Sequence, residues 1–363
     1  MTLEPRWAAA RQVLAVRLDN LGDLLMSTPA LAALRQALPQ ARITLLGSPA
    51  STALAPHLAD VDEVLPYAAP WAPGPAAAAG ADRRFIDRLA ACGFDAAVVF
   101  TVCTQSALPA ALMCQLAGIP LRLAHARENP YQLLTHWVRD EDRVGDGMRH
   151  EVQRQLDLLR AIGVPPPASA RLRFRQRPQD DRALRAQLVA AGGDPQRPWL
   201  LLHPGATAAS RRWPPERFAA AADRIAEASG CQVVFAGGEA ERAAVDAARS
   251  AMRRPSVSLC GVLSLGELAA AIAGAELLVC NNSGPAHIAA AVGTPVVVLY
   301  ALTNPQHTPW QVPSAVLSHD VPCRNCLKSV CPQGHHACLL GVQPDTVAQA
   351  ALALMAAALE PAG

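Results

Sequence analysis

Residues 199–235 read WLLLHPGATAASRRWPPERFAAAADRIAEASGCQVVF, and this stretch decides the fold. Trp199–His203 is a short apolar run of the length expected for a strand buried on both faces. Pro214–Ser229 follows with apolar residues at helical spacing and proline at the entrance. Gln232–Ala236 returns to a β-rich run. Strand, helix and strand in succession form a crossover unit, which makes the strands it joins parallel. Between the first strand and the helix lies a loop of small and hydroxylated residues that ends in Arg211-Arg212. In doubly wound sheets ligands gather at the carboxyl ends of strands, and this loop falls there.

Outward from this unit the alternation continues. Towards the C-terminus the pattern predicts helices at Glu239–Met252, Leu265–Ala273 and Pro285–Val292, and strands at Leu277–Cys280 and Val296–Tyr300. Towards the N-terminus it predicts strands at Val13–Arg17, Ile43–Leu46 and Ala96–Phe100, and a helix at Leu24–Leu38. Ala68–Ala81 reads as a Pro/Gly/Ala loop. The pattern breaks between Pro165 and Pro178, where Arg171, Arg173, Arg175 and Arg177 alternate along one face of an extended segment. The expectation is therefore an α/β protein of two doubly wound domains facing a cleft, 1–178 and 179–363. The closing Ala-rich helix from Val347 to Leu359 has a second place to dock, back on the N-terminal domain.

Half of the 363 residues are apolar and 17% are charged, enough for two cores. The net charge of +2 argues against nucleic acid as a partner. Up to Pro178 there are 19 basic residues against 16 acidic ones, and beyond it 13 against 14, so a +3 excess sits in the first half. With Arg83-Arg84 and the Arg171–Arg177 stripe, that excess would suit an anionic partner. Lys328 is the only lysine, so any phosphate must meet arginine forks. No secretory signature opens the chain, and no apolar run reaches the roughly 18 residues of a membrane span. The expected location is the cytoplasm, with peripheral contact at a membrane if that partner is a lipid.

Four motifs fall at strand ends. Arg17-Leu18-Asp19-Asn20-Leu21-Gly22-Asp23 follows the first strand, and Asp23 stands at the start of the next helix. It is either a helix cap or a base at the mouth of the cleft. His203–Pro214 offers Thr207, Arg211 and Arg212 to a phosphate, with a helix dipole behind them. Phe235–Arg242 contains Gly237-Gly238, which permits close backbone approach, and acidic residues suited to ribose hydroxyls. Cys280–His287 offers Asn282, Ser283 and the N–H groups of Gly284, Ala286 and His287, while Pro285 has none to give. The second and fourth motifs together make a plausible diphosphate site.

In order along the chain, RLDNLGD, HPGA…RRWP, GGEAER and NNSGPAHIAAAVGTPVVVLY resemble glycosyltransferase family 9, the ADP-heptose:lipopolysaccharide heptosyltransferases. The resemblance implies a GT-B fold of two Rossmann-like domains. It implies that Asp23 is the general base, and that Arg211 stands where a lysine usually contacts the donor phosphates. It also implies that Glu241 lies near the nucleoside, and that Asn282, Ser283, Gly284 and Pro285 line the donor. The implied reaction is metal-independent, inverting transfer of a heptose from an ADP-sugar to a lipopolysaccharide-core-like acceptor. Two other readings fit the same scaffold: a sugar-nucleotide epimerase, and a non-catalytic nucleotide-sugar-binding protein. A dehydrogenase is disfavoured, because the first strand is not followed by GxGxxG.

Cys323, Cys326, Cys331 and Cys338 stand within sixteen residues, with His335 and His336 among them. Such spacing suits a structural zinc or iron knuckle, and equally a loop of reduced thiols. The cluster is far along the chain from Asp23, so the sequence gives it no part in the chemistry.

Overall fold

The computed structural model describes residues 2–72, 78, 80–145 and 147–359; most of the Pro/Gly/Ala loop, at 73–77 and 79, lies outside the described residues. The chain divides into two compact units, Met1–Arg175 and Gln176–Gly363.

The strands of the first unit are β1 (Gln12–Arg17), β2 (Arg42–Gly47), β3 (Glu63–Pro66), β4 (Ala96–Val99), β5 (Leu121–Ala126) and β6 (His136–Arg139). Among the described residues they form one six-stranded parallel sheet in the order 3-2-1-4-5-6. Its helices are α1 (Pro5–Ala8), α2 (Leu21–Ala37), α3 (Ala81–Ala91), α4 (Leu108–Leu116) and α5 (Glu151–Arg160). Leu14, Val16, Leu46, Val99 and Ala124 from the sheet pack with Leu89, Met113 and Cys114 from α3 and α4. Pro29 sits inside α2 and leaves the carbonyl of Leu25, four residues back, without its helical donor. The Thr28 hydroxyl takes that carbonyl at 2.6 Å, so the helix carries the proline without an orphaned group.

The second unit repeats the plan. Its strands are β7 (Trp199–His203), β8 (Gln232–Phe235), β9 (Ser256–Ser258), β10 (Leu277–Asn281), β11 (Val296–Leu299) and β12 (Ser314–Leu317). The order β12-β11-β10-β7-β8-β9 is the first sheet's order read from the other edge. Its helices are α6 (Pro178–Ala190), α7 (Pro215–Ser229), α8 (Arg242–Ala251), α9 (Leu265–Ala273), α10 (Gly284–Val292), α11 (Ala337–Leu340) and α12 (Pro344–Leu359). The closing helix α12 lies on its own unit: Val347, Ala348 and Ala351 join Phe218, Ile225 and Leu299 in the core. The helix expected over Glu239–Met252 begins with a separate 3-10 turn at Glu239–Glu241 before α8.

The Arg171–Arg177 stripe has the expected alternation, with Leu172 and Phe174 buried between the arginines. It is not an open basic face. Arg173 pairs with Asp60 at 3.2 Å, Arg175 donates to the carbonyl of Pro56, and Arg177 pairs with Asp180. Local carboxylates and carbonyls meet three of the four cations, so the acceptor-binding role expected for them loses its support. Among the described residues no helix is long and apolar enough to cross a membrane.

Candidate active site

In each sheet the strand order reverses between two adjacent central strands, β1 and β4 in the first unit and β7 and β10 in the second. That switch point leaves a crevice at the strand ends, because the following loops turn to opposite sides.

In the first unit β1 runs directly into Asp19, Asn20 and α2. Asp23, buried in the first turn, does cap the helix: the Asn20 N–H donates to its Oδ2 at 3.2 Å. Its Oδ1 lies 3.7 Å from Arg17 Nη2. Arg17 is wholly buried; Asp19 Oδ2 stands 3.1 Å from its Nε, and Glu151 Oε1 2.8 Å from its Nη2. Burial works against the guanidinium charge, but Asp19, Glu151 and Asp23 together more than restore it. Asp19 is pushed above the usual carboxylate range, by burial first and by its acidic neighbours, against the pull of Arg17. Glu151 and Gln155 come from α5, a segment from which the sequence reading took no site residue. Their polar side chains at i and i+4 look like a solvated helix face, yet both are fully buried.

In the second unit β7 and β10 are parallel neighbours with His203 opposite Cys280, so the loops after them leave the sheet side by side. Asn281, fully buried, fastens them together. Its Nδ2 donates to the carbonyl of Pro204 at 2.7 Å, and its Oδ1 accepts from the Trp213 N–H at 3.0 Å. Sequence reasoning passed over this residue, although a polar residue closing an apolar strand was a signal. Asn282 turns its Oδ1 to the Ala301 N–H at 3.3 Å. Ser283 precedes α10 with its hydroxyl directed to the carbonyl of Asn281, leaving the first turn uncapped by its side chain. His287 is buried within that helix.

The two arginines of the HPGA loop differ in role. Arg212 folds back, donating from Nε to the carbonyl of Ala206 at 2.7 Å and from Nη2 to that of Thr207. It braces the loop. Arg211 has a buried Nε without a hydrogen-bond partner among the described residues, and it lies near enough to the buried Tyr300 to act on its ring hydroxyl. Thr207 is exposed at the loop tip.

Glu241 closes over the same loop. Gly238 N–H donates to its Oε2 at 2.8 Å, and His203 Nε2 approaches that oxygen at 3.4 Å. A Cβ on Gly205 would fall 1.9 Å from Glu241 Oε1, so glycine is required where the carboxylate rests. Burial drives the His203 imidazole towards its neutral form, only partly offset by Glu241. Glu239, by contrast, is exposed and paired with Arg242.

Cys323, Cys326, Cys331 and Cys338, with His335 and His336, line one enclosed cavity of about 20 Å³ that Ser210 also borders. Among the described residues no three His, Cys, Asp or Glu side chains converge closely enough to hold a metal ion. Burial opposes the Cys331 thiolate, but the N–H groups of His336, Gln333, Gly334 and His335 bring its pKa below the usual thiol value. The loop is tightly wound, with Asn325, Leu327 and His336 in the left-handed region at φ of 59°, 54° and 47°. It is tied to the segment that carries Arg211. Ser210 donates from Oγ to the carbonyl of Lys328 at 2.7 Å and from its N–H to that of Ser329 at 2.9 Å.

Two Rossmann-like parallel units, with basic and glycine-containing loops at a switch point, define the GT-B class of architecture. The family model for glycosyltransferase family 9 (heptosyltransferase) matches residues 83–337, and the chain belongs to that family. The matched region includes the HPGA, GGEAER and NNSGP loops and most of the cysteine loop, but not Asp23. Lipooligosaccharide heptosyltransferase 2 of Campylobacter jejuni serotype O:2 is 30% identical over 162 residues, 43% of this chain and 50% of that protein. The matched chain thus spans about half the length of that curated relative. Lipopolysaccharide heptosyltransferase 2 of Escherichia coli K12 is 26% identical over 367 residues, 95% of this chain and 98% of that protein. The solved structure of E. coli ADP-heptose lps heptosyltransferase II shares the fold, with a TM-score of 0.75 at 22% identity over 96% of this chain and 100% of that one.

Proposed function

We propose that the chain transfers a heptose from ADP-heptose to a lipopolysaccharide-core-like acceptor, with inversion, at the cytoplasmic face of the inner membrane. The observation that carries the donor half is the pair of adjacent strand-end loops. One presents Arg211 with an unpartnered buried Nε, and the other opens a helix N-terminus. Family membership and the names of the full-length relatives support the choice of sugar and acceptor.

In this reading Asp23 accepts the proton of an acceptor hydroxyl while that oxygen bonds to the anomeric carbon. The bond from that carbon to the diphosphate oxygen breaks, and ADP leaves. A positioned base contributes roughly 10²–10⁴-fold. Arg211 and the N–H groups at the start of α10 take up the charge gathering on the diphosphate. Arg212 and Asn281 keep the loop that carries Arg211 in place. Glu241 is the group proposed to meet the ribose. No step is routed through a metal, since fixed cations and dipoles take the leaving-group charge.

The test is incubation of the purified protein with ADP-heptose and a heptose-deficient lipopolysaccharide core, following ADP release and the mass of the acceptor. Gain of one heptosyl residue supports the reading. Interconversion of the nucleotide sugar without any acceptor would replace transfer by epimerisation. Donor binding without turnover under any condition would leave a binding protein.

A further inference from the structure

Three carboxylates surround one guanidinium in the first unit, and the transfer reaction uses only one of them. Arg17, Asp19, Asp23 and Glu151 come together from the end of β1, the loop behind it and the first turns of α2 and α5. Arg17 and Glu151 have no exposed side-chain surface. Gln155 secures Glu151 from the next turn, donating from Nε2 to Glu151 Oε1 at 2.6 Å and to the carbonyl of Thr101 at 3.1 Å.

The distances are unequal in a way that bears on a base. Arg17 Nη2 is hydrogen-bonded to Glu151 at 2.8 Å but stands 3.7 Å from Asp23 Oδ1. Its Nε is 3.1 Å from Asp19 Oδ2, within ion-pair distance but off the hydrogen-bond angle, since both atoms lack a hydrogen-bond partner among the described residues. A guanidinium clasping Asp23 directly would pin the carboxylate in one orientation. It would also stabilise the carboxylate and weaken it as a base. Glu151 prevents that by holding the fork towards α5.

We propose that Glu151 and Arg17 are positioning residues for Asp23: Glu151 draws the guanidinium off the base, and Arg17 supplies enough charge to keep three buried carboxylates compatible. This rests on the reading of Asp23 as the base. Charged groups on the elements packed against α2 have partners of their own. On α5, Arg154 pairs with Asp140 and Asp142, and Asp157 with Arg149 and Arg160. On α2, Arg35 pairs with Asp62. In the 3-10 segment Pro49–His57, His57 stacks on Phe174 and meets the carbonyl of Arg175. Asn20 and Gln155 are neutral, and Gln105 bonds to Asp19.

The experiment is the pH profile of kcat with ADP-heptose and acceptor for Asp23→Asn, Glu151→Gln, Glu151→Asp, Arg17→Lys and Arg17→Met. Glu151→Gln removes a negative charge and frees Arg17 to close on Asp23. Its acid limb moves to lower pH and the plateau falls by roughly tenfold. Arg17→Met leaves the carboxylates without a cation and moves the acid limb to higher pH. Glu151→Asp and Arg17→Lys, which keep the charges, return most of each shift. If Arg17→Met does not fold, the contrast of Glu151→Gln with Glu151→Asp decides. Loss of stability with limbs that stay put would make the cluster a structural staple and overturn the proposal. Near-normal kcat in Asp23→Asn would overturn the base assignment itself, whatever the other variants do.

Discussion

Replacing Gly205 by alanine tests whether the carboxylate of Glu241 is built into the loop after β7. The new Cβ would lie 1.9 Å from Oε1, 2.1 Å from Cδ and 2.7 Å from Cγ of Glu241, so a small rotation of the carboxylate cannot clear it. The side chain must leave its rotamer and give up the 2.8 Å bond from Gly238 N–H together with the contact to His203. A hydrogen bond to a charged group is worth about 1.5–3 kcal/mol. Taking about 2 kcal/mol, the unfolding transition of the second unit should fall by roughly 4–8 °C. Differential scanning calorimetry reads that shift, and isothermal titration with ADP reads the loss of donor affinity. The double variant Gly205→Ala/Glu241→Ala completes a cycle in which the clash is absent, so it should be no less stable than Glu241→Ala alone. A Gly205→Ala protein with unchanged melting temperature and ADP affinity would show that the carboxylate does not rest on this glycine.

The two arginines should separate. Arg211→Ala weakens ADP binding by roughly ten- to a hundredfold with little loss of stability. Arg212→Ala chiefly lowers the melting temperature, and the reverse pattern in titration and calorimetry would exchange their roles. Burial, reinforced by the charge of Arg154, holds the pKa of His125 at about 4 in the folded chain. The unfolded chain binds that proton near pH 6.5, so stability is full above that value and declines as pH falls towards 4, by up to about 3 kcal/mol. His125→Gln should flatten this decline in chemical denaturation series; an unaltered slope would place the acid sensitivity elsewhere. Stripping any ion from the cysteine loop with a chelator, after elemental analysis for zinc and iron, should lower the melting temperature of the second unit. The kcat of the protein still folded should stay the same, and lost turnover at unchanged stability would mean that a metal takes part in transfer.

The central strands were legible because each is a short, mainly apolar run that turns polar only at its ends. Trp199–His203 and Val13–Arg17 are buried along almost their whole length, and burial on both faces leaves no other composition. The outer strands were not read. Ser256–Ser258 is half-buried, His136–Arg139 alternates exposed and half-buried residues, and neither carries an apolar signal. Leu121–Ala126 escaped for another reason. It contains Arg122 and His125, and it tolerates Arg122 because that guanidinium is met by the carbonyls of Leu133, Ile119 and Gln132. The strand-end loops were legible as glycine, hydroxyl and arginine between a strand and a helix. What the sequence could not reveal is direction: Arg211 and Arg212 are adjacent and identical in type, and only the fold distinguishes the brace from the free fork. The Glu151 cluster was hidden for the same reason, since a polar residue in an amphipathic helix is ordinarily on the wet side.

The bonds from Ser210 to Lys328 and Ser329 also give the protein a chemical reporter of its own. Cys114 and Cys280 are buried, and the thiol of Cys114 is pushed up to about 12, so a neutral alkylating reagent passes them by. Cys92 is exposed and the four thiols of the 323–338 loop are half-buried, with Cys331 among them held towards its thiolate. That loop is fastened at Ser210 to the segment bearing Arg211. If ADP binds at Arg211 as proposed, the rate of alkylation at Cys331, measured against Cys92 as an internal clock, should fall on its addition without any acceptor or turnover.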